Sequence, residues 1–251
     1  MSAETPSPIT AEIVQLRMKI FLRAPLRRKL LGRILRMLDK VSGQQVLEMS
    51  GDDALSVALR NAGGGGGAAW SSLAAAETHA ELLAEGGAER IHLAALPQLP
   101  FEEGAFDAVV ASDMLEYVEK PAELMAELHR IMRSKTRLIL HVRRKRKTLV
   151  ELFRKWSGLT DPTRPMARPG FTPTELFDVL KDGFDVQETT GYGRFFTEFA
   201  NLLAELFAGI IPSAGEAAAL NERRLKRALT VFTAFTPVFW LAGVLDAVCF
   251  F

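Results

Sequence analysis

The chain has 251 residues, 48% of them hydrophobic and 24% charged, which supports a sizeable folded core and excludes a disordered chain. Lys and Arg number 31 against 30 Asp and Glu, a net charge of +1, so a nucleic-acid partner held by bulk charge is not expected. One cysteine, Cys249, excludes a disulfide framework, and His79, His92, His129 and His141 lack the spacing of a histidine zinc site, so no metal is expected.

Residues 1–9 read as a loose tail, and the polar, Pro-bearing stretch 1–12 has no apolar signal core, which predicts a cytoplasmic N-terminus. Thr10 is a candidate N-cap with Glu12 in the first turn. Apolar residues then recur at helical spacing: Ile13, Leu16, Ile20, Phe21, Leu31, Ile34, Leu35 and Leu38. Pro25 predicts a break into two helices near Arg23 or Ala24. The opposite face is basic, with Arg17, Lys19, Arg23, Arg27, Arg28, Lys29, Arg33 and Arg36 and no acid between Glu12 and Asp39. Three readings of that face stay open: a solvated face of helices on a sheet edge, a surface for anionic lipid, or a nucleic-acid surface.

From residue 46 onward short apolar runs alternate with helical ones. Val46–Met49 predicts a strand, Asp53–Asn61 a helix, Ala68–Trp70 a weak strand, Ala74–Glu85 a helix and Arg90–Leu93 a strand. Phe106–Ala111 is the clearest strand, followed by a helix over Pro121–Met132 and a strand over Arg137–Val142. This alternation implies a parallel sheet with crossover helices, a three-layer α/β sandwich. The five glycines Gly63–Gly67 lack the Lys-Ser/Thr of a phosphate-binding loop and read as a connector.

The basic run Arg143–Lys147 is either a solvated loop or a grip for a phosphate or anionic head group. A Pro-punctuated loop or lid follows over Thr160–Pro173. Thr172, Pro173 and Glu175 predict a capped helix start, and Phe184–Val186 a late strand.

The block Leu99-Pro100-Phe101-Glu102-Glu103-Gly104-Ala105-Phe106-Asp107-Ala108-Val109-Val110, continuing through Leu115-Glu116-Tyr117-Val118, resembles the class I S-adenosylmethionine-dependent methyltransferases of the type 11 kind. Glu127–Met132 with Leu138–Leu140 is similar to the family's next helix and strand 5, and Gly170–Leu176 with Gly183–Val186 to its late helix and strand 6. The resemblance covers roughly residues 40–190. It implies a mostly parallel, seven-stranded-type Rossmann-like sheet and S-adenosylmethionine as cofactor.

The family's loop after strand 1 carries an acid and then alternating glycines, which let backbone approach the ligand. The matching residues are Glu48, Ser50, Gly51, Asp52 and Ala54: the acid is kept, and Ser50, Asp52 and Ala54 stand where glycines are expected. At the ribose-binding end of strand 2 the resemblance points to Ser71, with Ser72 beside it. At the adenine position before the Leu-Pro-Phe block it points to Ala95. Ser112, at the end of strand 4, completes the cofactor set Glu48, Ser50, Gly51, Asp52, Ser71, Ala95 and Ser112. A serine lacks the charged bidentate geometry of an acid, and an alanine offers nothing. Asp113, Glu116 and Tyr117 lie where open α/β sheets place substrate chemistry, but no catalytic residue is assigned.

Phe195–Ile211 reads as an apolar helix. Ala228–Phe251 is a 24-residue stretch whose only charge is Asp246, preceded by Arg223, Arg224, Lys226 and Arg227. As one helix it would reach about 36 Å, enough to cross a bilayer. A true span, an in-plane helix and a helix buried on the domain all stay open, since Pro237 and Asp246 interrupt the pattern. The expected organisation is therefore basic helices over residues 1–39, a methyltransferase-like domain over 40–190 and an apolar helical region over 191–251. The expected function is a methyltransferase-like protein with lost or weakened cofactor binding, acting as a scaffold or accessory subunit. Its partner would be a membrane surface or membrane-protein complex, with the chain peripheral or C-terminally anchored at the inner face. The alternative is an active methyltransferase acting on a lipid-linked or other membrane-bound acceptor.

Overall fold

The computed structural model describes residues 9–38, 45–63, 68–74, 76–145, 152, 156, 167–191, 195–209 and 221–249. The chain divides into two units, one of residues 33–146 and 164–190, the other of residues 1–32, 147–163 and 191–251. Within the glycine run, residues 64–67 lie outside the described residues, as do Arg146 and Lys147 of the basic run and residues 160–166 of the Pro-punctuated loop.

The first unit is an α/β sandwich. Strands β1 (Gln45–Ser50), β2 (Ala69–Ala74), β3 (Ile91–Leu93), β4 (Phe106–Ser112) and β5 (Met132–His141) form an all-parallel sheet in the order β3-β2-β1-β4-β5. Helices α3 (Asp53–Gly63), α4 (Glu77–Glu85) and α5 (Pro121–Ile131) connect them, and α6 (Pro173–Leu180) follows. The sheet is five-stranded among the described residues. Residues Phe184–Val186 are not a strand. Phe184 instead meets the His129 ring edge-on at 5.9 Å and packs against the core, while Val186 stays exposed.

The short apolar runs became strands because both faces of this sheet are covered. Val46, Leu47, Met49, Leu73 and Val109 have essentially no exposure, as parallel sheets require. β2 runs four residues past the predicted Trp70, since Ser72 and Leu73 pair with Glu48 and Met49 of β1. Its Ala-Ser composition gives little local strand signal, and the neighbouring strand supplies the pairing. Asp107 ties the base of the sheet together: Oδ2 accepts from the Gln45 backbone N–H at 2.9 Å, and Oδ1 pairs with Arg133. The Gln45 bond, helped by Arg133, holds the Asp107 pKa below the usual carboxylate range.

Helix α6 starts as its sequence dictates. Thr172 Oγ1 accepts from Glu175 N at 3.2 Å and Glu175 accepts from Thr172 N at 2.8 Å, a complete capping box. Just upstream, Gly170 has φ of +132°, and a Cβ there would lie 2.5 Å from the Arg143 carbonyl. Only glycine allows the backbone approach that pairs Phe171 with Arg144.

The second unit is helical. It contains α1 (Ala11–Arg23), α7 (Phe195–Ala208), α8 (Glu222–Ala234), α9 (Thr236–Cys249) and the start of α2 (Pro25–Leu38). Thr10 caps α1 by accepting from Ile13 N, and Ala24 is extended before Pro25, which ends the helix there. Arg17, placed with the basic face by the sequence, is only 2% exposed. It lies on the stripe of Ile13, Leu16 and Ile20, so the basic face begins beyond it. The C-terminal stretch is not one helix. It breaks at Phe235 into α8 and α9, bent by 49°, because Pro237 has no N–H with which to continue α8. No single helix among the described residues is long and apolar enough to cross a membrane, although this bent pair together has the length and apolar composition of a span.

Candidate functional site at the strand ends

The carboxyl ends of β1, β4 and β5 bring several of the expected residues together. Ser50, Ser112 and His141 stand on one rung of the sheet, β1 pairing with β4 and β4 with β5. Gly51 N donates to the Ser112 carbonyl at 3.1 Å, fixing the loop onto the end of β4. Ser112 Oγ is 3.2 Å from His141 Nδ1, and the same nitrogen is 3.4 Å from Asp113 Oδ1. Asp113 has φ of +52°, a left-handed turn that a short polar side chain tolerates.

The loop after β1 uses its polar groups on itself. Asp52 N donates to Ser50 Oγ at 3.0 Å, and Asp52 Oδ1 accepts from Ala54 N at 3.2 Å. Asp52 is thus the N-cap of α3, and its carbonyl accepts from Leu55 N and Ser56 N. Ser50 and Asp52 are both buried.

Glu48 points toward α3, where Ser56 Oγ donates to its Oε1 at 2.6 Å. Arg60 donates to Ser72 Oγ beside it. Burial dominates all of these and pushes the Glu48 carboxyl up to about 7, against the lowering influence of Ser56, Arg60 and Ser72. Ser56 and Arg60 were not expected at the site, and Ser72 was named only as the neighbour of Ser71 at the ribose position. Their sequence separation from Glu48 carries no motif, and only the docking of α3 on the sheet assembles them.

Glu116, on the turn after β4, is the second buried acid. Its Oε1 accepts from Arg143 N, its carbonyl accepts from Arg168 N at 3.1 Å, and burial, helped by Asp113, raises its pKa. Arg143 and Lys145 each make a contact here. The first donates its backbone N–H to Glu116, and the second pairs with Glu175 at 2.9 Å.

Ser71 and Ala95 are not part of this cluster. Ser71 sits in mid-strand opposite Leu47, whereas β2 ends at Ala74, so the strand-end position held by Ser71 in the sequence reading passes to Ala74. Beyond it the next acid is Glu77, in the first turn of α4. Ala95 lies exposed just after β3, where Ala94 N donates to the Ala74 carbonyl at 3.2 Å. No group of three or more potential metal ligands occurs among the described residues. Chemically, the cluster offers an imidazole oriented by a carboxylate and a hydroxyl, and two buried acids whose pKa values burial raises.

Residues 61–140 match the family model of the methyltransferase domain. The chain is also similar in fold to a putative sarcosine dimethylglycine methyltransferase from Galdieria sulphuraria, at 12% identity and a TM-score of 0.53 over 82% of this chain and 80% of that one. A 4+2 cyclase, SpnF, gives 14% identity and a TM-score of 0.53 over 83% of this chain and 75% of its own. No curated protein matches the chain by sequence.

Proposed function

We propose that the α/β unit, whose residues 61–140 match the methyltransferase-domain model, is a methyltransferase-like module with weakened binding of S-adenosylmethionine, serving as a scaffold or accessory subunit at a membrane surface. The observation that carries this is the Ser50–Asp52–Ala54 chain of hydrogen bonds. Where the family presents bare backbone to its cofactor, this loop presents side chains bonded to its own amides. The donor set agrees. The side chains of Ala74 and Ala95 offer no acceptor for ribose hydroxyls or an adenine amino group, and the raised pKa of Glu48 reduces its value as a partner for a cationic ligand.

Losing two hydrogen bonds to charged acceptors removes about 3 to 6 kcal/mol, or roughly two to four orders of magnitude in affinity, if the losses add. Calorimetric titration of the full chain with S-adenosylmethionine and S-adenosylhomocysteine tests this. Heat of binding at micromolar ligand, or cofactor that copurifies, would overturn it.

The second reading is an active methyltransferase acting on a lipid-linked or other membrane-bound acceptor. The placement of His141 between Asp113 and Ser112 favours it, since an imidazole held at Nδ1 by a carboxylate is oriented for proton transfer at its other nitrogen. The same titration separates the two.

A further inference from the structure

The α8–α9 pair has two outward surfaces of different chemistry. On α8, Leu225, Ala228 and Phe232 face the helical unit, and Arg223, Arg224 and Arg227 are exposed. Lys226 is already engaged by Glu222 and, at 3.0 Å, by Glu12, so the three arginines supply the outward charge. On α9, Phe239, Ala242 and Asp246 face inward. Helical spacing puts Pro237, Trp240, Leu241, Val244 and Val248 on the opposite side. Trp240 is 71% exposed and Val248 72%. Between Arg223 and Cys249 the only acid is Asp246, which is buried.

We infer that this outward face of α8 and α9 is a docking surface for an anionic phospholipid bilayer, with α9 lying in the plane of the interface. The inference rests on the membrane-surface reading above and names its face and lipid class. Two features select lipid over protein. Protein interfaces carry about one hydrogen bond per 100–200 Å², whereas the outward side chains of α9 named above hold a single hydrogen-bonding group, the Trp240 indole N–H. A hydrocarbon boundary asks for none, and indole rings favour the headgroup level. The arginines then lie beside the apolar face, Arg223 with Glu222 next to it, and the three outnumber that acid, which makes the surface complementary to an anionic leaflet. A span is disfavoured because the Phe239–Asp246 side of α9 is already packed and the bend separates the charged helix from the apolar one.

The test uses the full chain in flotation with vesicles of phosphatidylcholine alone and of phosphatidylcholine with phosphatidylserine. Binding is expected only to the anionic vesicles. Trp240→Ser with Val244→Ser should abolish it. Each arginine near an anionic surface contributes about a factor of five in partitioning. Arg223→Glu with Arg227→Glu should therefore lower binding more than ten-fold and flatten its salt dependence. All four positions are exposed, and unchanged circular dichroism would show that the fold is intact. In a Trp70→Phe, Trp156→Phe background, Trp240 emission should shift to the blue on anionic vesicles.

Equal binding to neutral vesicles, undiminished flotation of the serine variant, or an unshifted Trp240 would overturn this surface while leaving membrane association standing. Absence of flotation with either vesicle would remove both. A lipid-free dimer that the Trp240→Ser change dissociates, with no vesicle binding, would assign the face to a second copy of the chain and also overturn the proposal. The cofactor titration reads the other unit, and its outcome is independent of these.

Discussion

Asp246 of α9 closes the first turn of α7 through Thr197: its Oδ2 accepts both the Thr197 backbone N–H at 3.0 Å and the Thr197 hydroxyl at 2.5 Å. Its Oδ1 takes the neighbouring Phe196 N–H at 2.9 Å. The first amides of a helix have no partner within it, and here a side chain 49 residues away supplies one. The single acid in the apolar C-terminal stretch is therefore a helix cap delivered from another helix.

Asp246→Ala should consequently destabilise the helical unit by about 2 to 3 kcal/mol, the scale of hydrogen bonds to a carboxylate with buried donors left behind. Urea unfolding followed by circular dichroism measures it. A loss under half a kcal/mol would mean that water replaces the carboxylate.

Glu48 gives the protein a pH signature. Its folded pKa is raised from 4.5 to about 7 by burial, so the folded chain keeps a proton that the unfolded chain releases. The stability this contributes is full below about pH 4.5 and is lost as pH rises toward 7, amounting to about 3 kcal/mol. Glu48→Gln, which keeps an acceptor for Ser56, should match the unmodified protein near pH 4.5 and exceed it at pH 8. Denaturation curves across that range would show the two lines diverging, and parallel lines would refute the assignment.

Asp52 separates capping from ligand access. Glycine is tolerated at an N-cap at a cost of a few tenths of a kcal/mol, whereas alanine costs about 1 kcal/mol. Asp52→Gly should leave the melting temperature nearly unchanged and Asp52→Ala should lower it. If the side chain is what fills the loop, the glycine variant also binds S-adenosylmethionine more tightly than the unmodified chain in a parallel titration.

The sequence by itself determined the elements whose signals are local. Thr10 and the Thr172–Pro173–Glu175 cap acted through atoms three residues apart, and Pro25 and Pro237 acted through a missing N–H. The Phe106–Ala111 run has apolar residues on both faces, which leaves it no place but a covered sheet. The Leu-Pro-Phe block pointed to the family because it links that strand to its neighbours in a fixed order. Tertiary structure alone decided what depends on partners distant in sequence. β2 extended to Ala74 because β1 offered a ladder to Ser72 and Leu73, and Phe184–Val186 stayed out of the sheet because Phe184 packed on His129. Arg17 was buried and Asp246 turned inward only once helices enclosed them. The Glu48–Ser56–Arg60–Ser72 cluster likewise exists only where α3 lies on β1 and β2, and its raised pKa comes from burial, which no stretch of sequence carries on its own.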